Sequence, residues 1–146
     1  MKIISFNCRG LANPSKKSSL KRMVDSISLD VIFIQETIGP EGPILDMLTK
    51  LFACCYFIAE EVRGQLGGLI VGWNSKRVNC LKHWSFDQVL GLEIFSEELG
   101  RNLVLINVYG PYNNREPFWR DIMNKSFLNT KEVIIGGDLN FPFGIS

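Results

Sequence analysis

The chain has 146 residues, of which 46% are hydrophobic and 21% charged, and its formal net charge is +1. This composition excludes a disordered polar chain and allows one domain with a substantial core. The small net charge excludes a global field that would draw the protein to nucleic acid or membrane, so an anionic substrate must be held by local groups and a cation. The apolar runs are too short to span a bilayer, and no signal peptide is expected before the first strand.

The cysteines and the single histidine narrow the chemistry further. No CxxC pair occurs among Cys8, Cys54, Cys55 and Cys80, which predicts reduced thiols in an intracellular protein. The adjacent Cys54 and Cys55 are expected to be small core residues. Because His83 is the only histidine, a zinc site or a histidine cluster is excluded. We interpret His83 as an ordinary structural or surface histidine.

Hydrophobic periodicity predicts alternating strands and helices in the first part of the chain. Apolar runs predict strands at residues 2–7 and 31–37, each closed by a polar side chain. Between them, Asn13 as N-cap and Pro14 at the first helical position predict a helix over about residues 14–28. A solvated surface is favoured over a phosphate-steering patch for the four cations on its outer face, Lys16, Lys17, Lys21 and Arg22.

Further along, the pattern predicts two more helices and an antiparallel meander. The apolar stripe of the second helix consists of Ile44, Met47, Leu48 and Leu51. That of the third consists of Trp119, Ile122, Met123 and Phe127. Strands are predicted at residues 54–59, 67–73, 78–84, 89–95 and 102–109, with a loop at 63–65. Because no linker or repeat interrupts these elements, we predict a single domain.

The last predicted strand carries the strongest candidate for a site. Val133-Ile134-Ile135 is typical of a strand buried on both faces, and Gly136 and Gly137 then allow a tight turn and a close backbone approach. Asp138 and Asn140 follow, and polar groups beside so apolar a strand need partners. Taken alone, the segment is equally consistent with a strand that ends in an Asp/Asn turn.

The same arrangement recurs at three other strands, so that polar side chains close four of them: Asn7, Glu36, Tyr109, and Asp138 with Asn140. In a layered fold such strand ends can meet at one rim. Without a Ser/His or Cys/His pair, this set is poorly suited to acyl transfer. It suits phosphate chemistry with Mg²⁺, in which one carboxylate orients or deprotonates water while the amides and the phenol hold phosphate oxygens.

Five blocks of the sequence resemble the endonuclease/exonuclease/phosphatase superfamily, most closely the endonuclease domain of plant LINE-type (non-LTR) retrotransposons. They are Phe6-Asn7-Cys8-Arg9-Gly10-Leu11, Ile34-Gln35-Glu36-Thr37, Gly67-Gly68 before the Trp73 strand, Val108-Tyr109-Gly110-Pro111 and Gly136-Gly137-Asp138-Leu139-Asn140-Phe141. The blocks occur in family order over nearly the whole chain. The resemblance implies a two-sheet α/β sandwich of the DNase I-like type and a DNA endonuclease that hydrolyses phosphodiesters with Mg²⁺, or with Mn²⁺ in its place.

The resemblance also implies a role for each site residue. Glu36 is the metal ligand, and Asn7 beside it contacts the metal or a phosphate. Tyr109 binds phosphate, Asp138 aligns the nucleophilic water, and Asn140 is its partner on the phosphate. DNA is the implied substrate, contacted through its phosphate backbone. Neither a membrane nor a small-molecule cofactor is expected, and the implied location is the nucleus.

The family pattern extends further than the sequence does. It continues past the GDxN block through more strands, another aspartate and a final Ser-Asp-His whose histidine stabilises the pentacovalent phosphate, whereas this sequence ends at Phe143-Gly144-Ile145-Ser146. Residues 1–146 are therefore expected to form an endonuclease domain that is incomplete at its C-terminus, with weak or no activity. Two alternatives remain: a catalytically dead retrotransposon remnant, and an inositol-phosphate or sphingomyelin phosphohydrolase of the same fold.

Overall fold

The computed structural model describes residues 1–10, 13–39, 41–61, 67–125 and 132–140. Its helices are α1 (Pro14–Asp25), α2 (Glu41–Leu51) and α3 (Arg115–Met123). Its strands are β1 (Ile3–Asn7), β2 (Val31–Gln35), β3 (Cys55–Glu61), β4 (Gly68–Asn74), β5 (Val78–Phe86), β6 (Val89–Ser96), β7 (Arg101–Tyr109) and β8 (Val133–Asp138). None of these helices has the length and apolar character of a membrane-spanning segment.

The strands form two four-stranded sheets. The first has the order β1-β2-β4-β3, with β1 and β2 parallel and the other pairs antiparallel. The second has the order β5-β6-β7-β8, an antiparallel meander to which β8 is added in parallel. The carboxyl ends of β1 and β2 therefore lie together at one edge of the first sheet, and those of β7 and β8 lie together in the second.

The two sheets pack face to face, with helices on both outer faces. Side chains such as Phe33 of β2 and Leu105 of β7 fill the interface between the sheets. Leu20 of α1 and Leu48 of α2 pack on the outer face of the first sheet. Ile122 of α3 covers the outer face of the second. The predicted two-sheet α/β sandwich of the DNase I-like type is confirmed, because apolar alternation gives each sheet two faces that need cover.

Local signals located the first helix well at its start and less well at its end. Asn13 caps α1, since its side-chain oxygen accepts a hydrogen bond from the Ser15 backbone N–H at 3.0 Å, and Pro14 is the first helical residue. The helix ends at Asp25 rather than near residue 28. Ile27, which falls within the predicted helix, lies beyond the end of α1 and is 37% exposed. Lys21 pairs with Asp25 on the exposed face, in keeping with a solvated surface.

Three predictions of burial were wrong. Cys54 is exposed, because it lies in the turn before β3 rather than in the strand. Met123 is 61% exposed, because it is the last residue of α3 and lies outside the apolar cluster that contains Ile122. Ile134 is 37% exposed, because β8 is an edge strand within the described residues and its inner face is only partly covered. Phe127 and the predicted loop at 63–65 fall outside the described residues.

Candidate active site

The parallel strand pairs bring the predicted polar side chains to one rim of the sandwich. Asn7 is the register partner of Gln35, which Glu36 follows directly. Tyr109 is the register partner of Asp138 in the second sheet. At this rim, two hydrogen bonds cross between the sheets. Asn7 Nδ2 donates to Asp138 Oδ2 at 2.9 Å, and the Tyr109 hydroxyl donates to Glu36 Oε1 at 2.6 Å. Residues from four distant parts of the chain are thus in contact or adjacent.

Asp138 is held by donors on both of its carboxylate oxygens. Oδ2 accepts from Asn7 Nδ2, and Oδ1 accepts from the backbone N–H of Asn140 at 3.2 Å. Asn140 itself is anchored to the opposite loop, because its Nδ2 donates to the carbonyl of Gly110. The Gly110 N–H in turn donates to the Asp138 carbonyl at 2.6 Å. The carboxylate is therefore fixed in orientation, as a group that aligns a water molecule must be.

Three residues at the rim have left-handed backbone conformations that non-glycine residues rarely adopt. The φ angles are +45° for Arg9, +55° for Glu36 and +48° for Asn140. Each such conformation costs on the order of 1 kcal/mol. Hydrogen bonds oppose this strain at Glu36, since its carbonyl accepts from the Gly10 N–H at 2.8 Å. Strain of this kind concentrates where a fold holds functional side chains in place.

Glu36 and Tyr109 form a largely buried pair of a carboxylate and a phenol. The Glu36 side chain is 14% exposed, and its Oε2 lies 3.9 Å from Nε of Arg9, a side chain that is 80% exposed. Tyr109 is 1% exposed, and its hydroxyl also lies 3.2 Å from that of Tyr112. Burial raises the pKa of Tyr109 well above its ordinary value of 10.0, and the hydrogen bonds with Glu36 and Tyr112 raise the pKa further. The phenol therefore remains a hydrogen-bond donor at neutral pH.

This raised pKa predicts a loss of stability in alkali. The unfolded chain releases the Tyr109 proton near pH 10, whereas the folded chain keeps it, so stabilisation is complete below pH 10.0 and falls as the pH rises above that value. We expect the urea midpoint to drop between about pH 10 and 11. Tyr109→Phe should remove this component of the drop, as measured by urea unfolding in EDTA. An identical pH dependence in wild type and Tyr109→Phe would contradict it.

The donor chemistry of the rim fits a hard divalent cation. Among the described residues, no cluster of three or more His, Cys, Asp or Glu side chains could hold a metal. Mg²⁺ does not need such a cluster, because it binds through one or two carboxylates and keeps several waters. The Glu36 carboxylate and the Asn7 side-chain oxygen, on neighbouring strand ends, provide ligands of this type. His83 is exposed on β5, as a surface histidine is expected to be.

Sequence reasoning missed two residues that support this rim. Gln35 and Asn107 were included in predicted strands without a role, yet Gln35 Nε2 donates to Asn107 Oδ1 at 2.8 Å, and both side chains are fully buried. The available signal was an amide that ends or interrupts an apolar run, as Gln35 does in Val31–Gln35 and Asn107 does in β7. Exposed Arg9 and Tyr112 at the rim were also not assigned.

Comparison with known proteins identifies the family. The sequence pattern of the endonuclease/exonuclease/phosphatase family matches residues 4–144. The chain belongs to this family. Among curated proteins, no sequence matches it.

Solved structures of the endonuclease/exonuclease/phosphatase type have the same fold. A humanized TDP2 from D. rerio carrying 14 mutations is 21% identical, with a TM-score of 0.74, and the match covers 96% of this chain and 62% of that one. The endonuclease domain of TRAS1, a telomere-specific non-LTR retrotransposon, is 13% identical, with a TM-score of 0.71 over 97% of this chain and 61% of that one. A mannosyl-6-phosphatase from Bacteroides thetaiotaomicron is 12% identical, with a TM-score of 0.69 over 94% of this chain and 64% of that one.

The chain spans about three fifths of the length of these structures. At such low sequence identities, the likeness establishes the fold of this family member and leaves its substrate open.

Proposed function

We propose that this chain is an endonuclease domain of the LINE type, which hydrolyses phosphodiester bonds in DNA with Mg²⁺. The observation that carries the proposal is the pair of hydrogen bonds across the rim, from Tyr109 to Glu36 and from Asn7 to Asp138. They place two carboxylates, an amide and a phenol together. This is a set for holding a cation, a water and a phosphate rather than for forming a covalent intermediate.

In this mechanism each side chain has a separate task. Glu36 and Asn7 would hold the Mg²⁺, which when bound withdraws charge from a phosphate oxygen. Asp138 orients the attacking water and accepts its proton, and the hydrogen bonds from Asn7 and from the Asn140 backbone keep its carboxylate in place. The second Nδ2 hydrogen of Asn140 donates to a phosphate oxygen as negative charge builds there, and Tyr109 does the same when its single O–H turns from Glu36 to the phosphate.

Exposed groups beside the rim favour DNA as the substrate. Arg9 is 80% exposed and lies next to Glu36, and Tyr112 is 56% exposed and packs edge-on against Tyr109. A guanidinium pairs well with phosphates, and an exposed phenol ring can stack on a base. Two of the similar structures support this choice: the endonuclease domain of TRAS1, a telomere-specific retrotransposon, and TDP2 from D. rerio in complex with a single-stranded DNA product. A DNA substrate would place the protein in the nucleus.

A phosphatase acting on a small phosphate ester is the second candidate. The match to a mannosyl-6-phosphatase favours it, since that enzyme has the same sandwich fold. The inositol-phosphate and sphingomyelin hydrolases that the sequence leaves open likewise act on phosphate esters much smaller than DNA. The rim residues would serve either substrate class, so the choice depends on what the surrounding exposed groups bind.

The deciding experiment offers both substrate classes to the same protein. We expect residues 1–146 to convert supercoiled plasmid slowly to relaxed circles in Mg²⁺ or Mn²⁺ and to be inactive in EDTA. Less phosphate should be released from mannose 6-phosphate or an inositol polyphosphate, and less phosphocholine from sphingomyelin. Faster turnover of a small ester would reverse the substrate assignment. Absence of turnover with every substrate would contradict the proposed activity for residues 1–146 and favour the catalytically dead remnant.

A further inference from the structure

Two buried amides lie in the interface between the sheets, directly below the rim. Asn107 is completely buried and Gln35 is 1% exposed. Asn107 Nδ2 donates to the carbonyl oxygens of Ile34 and Ile70, at 3.1 and 2.9 Å, and its Oδ1 accepts from Gln35 Nε2. Gln35 Nε2 also donates to the Ser5 hydroxyl at 3.1 Å. This network links β7 of the second sheet to three strands of the first.

The network continues directly into the candidate site. Asn107 and Tyr109 are two residues apart on β7, so their side chains lie on the same face of the strand, toward the first sheet. Asn107 contacts Ile34 and Gln35 of β2, and Tyr109 contacts Glu36 immediately after them. The two inter-sheet contacts are therefore consecutive steps along the same pair of facing strands.

We propose that Asn107 is a positioning residue. Its carboxamide fixes β7 relative to β2 of the facing sheet and so holds Tyr109 against Glu36. The expected effect on metal binding and hydrolysis rests on the proposed function. The effect of Asn107 on the position of Tyr109 is independent of it.

Directional bonding is the reason that an amide is placed here. The neighbouring interface consists of side chains such as Phe33 and Leu105, and apolar contacts of this kind change little when one sheet slides slightly past the other. Hydrogen bonds weaken steeply when distance or angle changes, and a buried amide that loses its partners carries a large penalty. Three hydrogen bonds on one carboxamide therefore define a single position for β7.

Asn107→Leu removes all three bonds while keeping a side chain of similar size. We expect it to displace Tyr109 from Glu36 and, if the proposed function is correct, to weaken Mn²⁺ binding and slow DNA hydrolysis by about 10- to 100-fold. Leu105→Ala is the matched control, because Leu105 is buried on the same face of β7 and takes part only in apolar packing. It should lower the midpoint of urea unfolding without changing Mn²⁺ binding or the rate of DNA hydrolysis. Asn107→Ser replaces Asn107→Leu if the latter does not fold.

The test reads the position of Tyr109 directly, without requiring activity. Protein labelled with ¹³Cζ-tyrosine has three such residues, Tyr56, Tyr109 and Tyr112, and its spectrum is recorded at pH 7 in EDTA. In the Asn107 variant, the Tyr109 resonance should move toward that of the exposed Tyr56, and it should stay in place in Leu105→Ala.

The inference is overturned if Tyr109 is unmoved in the Asn107 variant, or if Leu105→Ala moves it equally. A wild-type protein that neither binds Mn²⁺ nor cleaves DNA would refute the proposed function, whereas the resonance shift would still decide the role of Asn107.

Discussion

Replacing Glu36 with glutamine is expected to lower the rate of plasmid nicking by about 10²–10³-fold, comparable to the loss of one transition-state group in other enzymes. Glutamine has nearly the same size and can still accept the Tyr109 hydrogen bond, so the packing of this largely buried side chain is retained. It lacks the negative charge that a divalent cation requires of its main ligand. The loss should therefore affect metal binding and hydrolysis together.

The measurement combines nicking kinetics with Mn²⁺ affinity, so that it is informative even if the wild-type rate is low. Glu97→Gln makes the same chemical change in the exposed turn after β6 and should alter neither quantity. Urea unfolding of both variants checks that the fold is intact. A Glu36→Gln protein that cleaves DNA within about twofold of the wild-type rate and binds Mn²⁺ equally well would remove Glu36 from the metal site.

Gly137→Ala is expected to lower the free energy of unfolding by about 3 kcal/mol or more. Gly137 has a φ of +119°, and a Cβ atom added there would lie 2.0 Å from the carbonyl oxygen of Val108. Val108 is its register partner on β7, so an alanine would push β8 away from its neighbour. Asp138 is the next residue, and its hydrogen bond with Asn7 should be lost with the strand pairing.

The natural control is another glycine in an open environment. Gly42 lies in α2, and a Cβ atom there would meet nothing within 4 Å. Gly42→Ala should leave stability unchanged or raise it by up to about 1 kcal/mol, because alanine favours the helix. Urea unfolding of the two variants and wild type makes the comparison. Equal stability of Gly137→Ala and wild type would mean that β8 does not approach β7 as closely as described.

Much of the architecture follows from local signals in the sequence. Apolar runs and alternation located the strands, and the Asn13-Pro14 pair located the start of α1. The polar residues that close four strands were identifiable because each stands at the end of an apolar run. Parallel pairing, which cannot be read from one strand, then brought Asn7 beside Gln35 and Tyr109 beside Asp138.

Burial at element ends could not be predicted in the same way. Met123 has the helical spacing of a core residue, and Ile134 lies in an apolar strand, yet both are exposed. Periodicity reports which side chains share a face, but it does not report whether another element covers that face at a given position. The left-handed conformations of Glu36 and Asn140 could not be predicted either, since hydrogen bonds to residues distant in the chain, such as the one from Gly10 to the Glu36 carbonyl, support them.

The sequence by itself determined the elements, their amphipathic faces and the chemical types that gather at the strand ends, because these depend on neighbours a few residues apart. Only the tertiary structure decided that Asn107 contacts Gln35 across the sheets, and that Tyr109 donates to Glu36 while Asn7 donates to Asp138. These partners are 72 to 131 residues apart in the chain. Their contacts depend on how two sheets settle against each other, and local propensity carries no information about that packing.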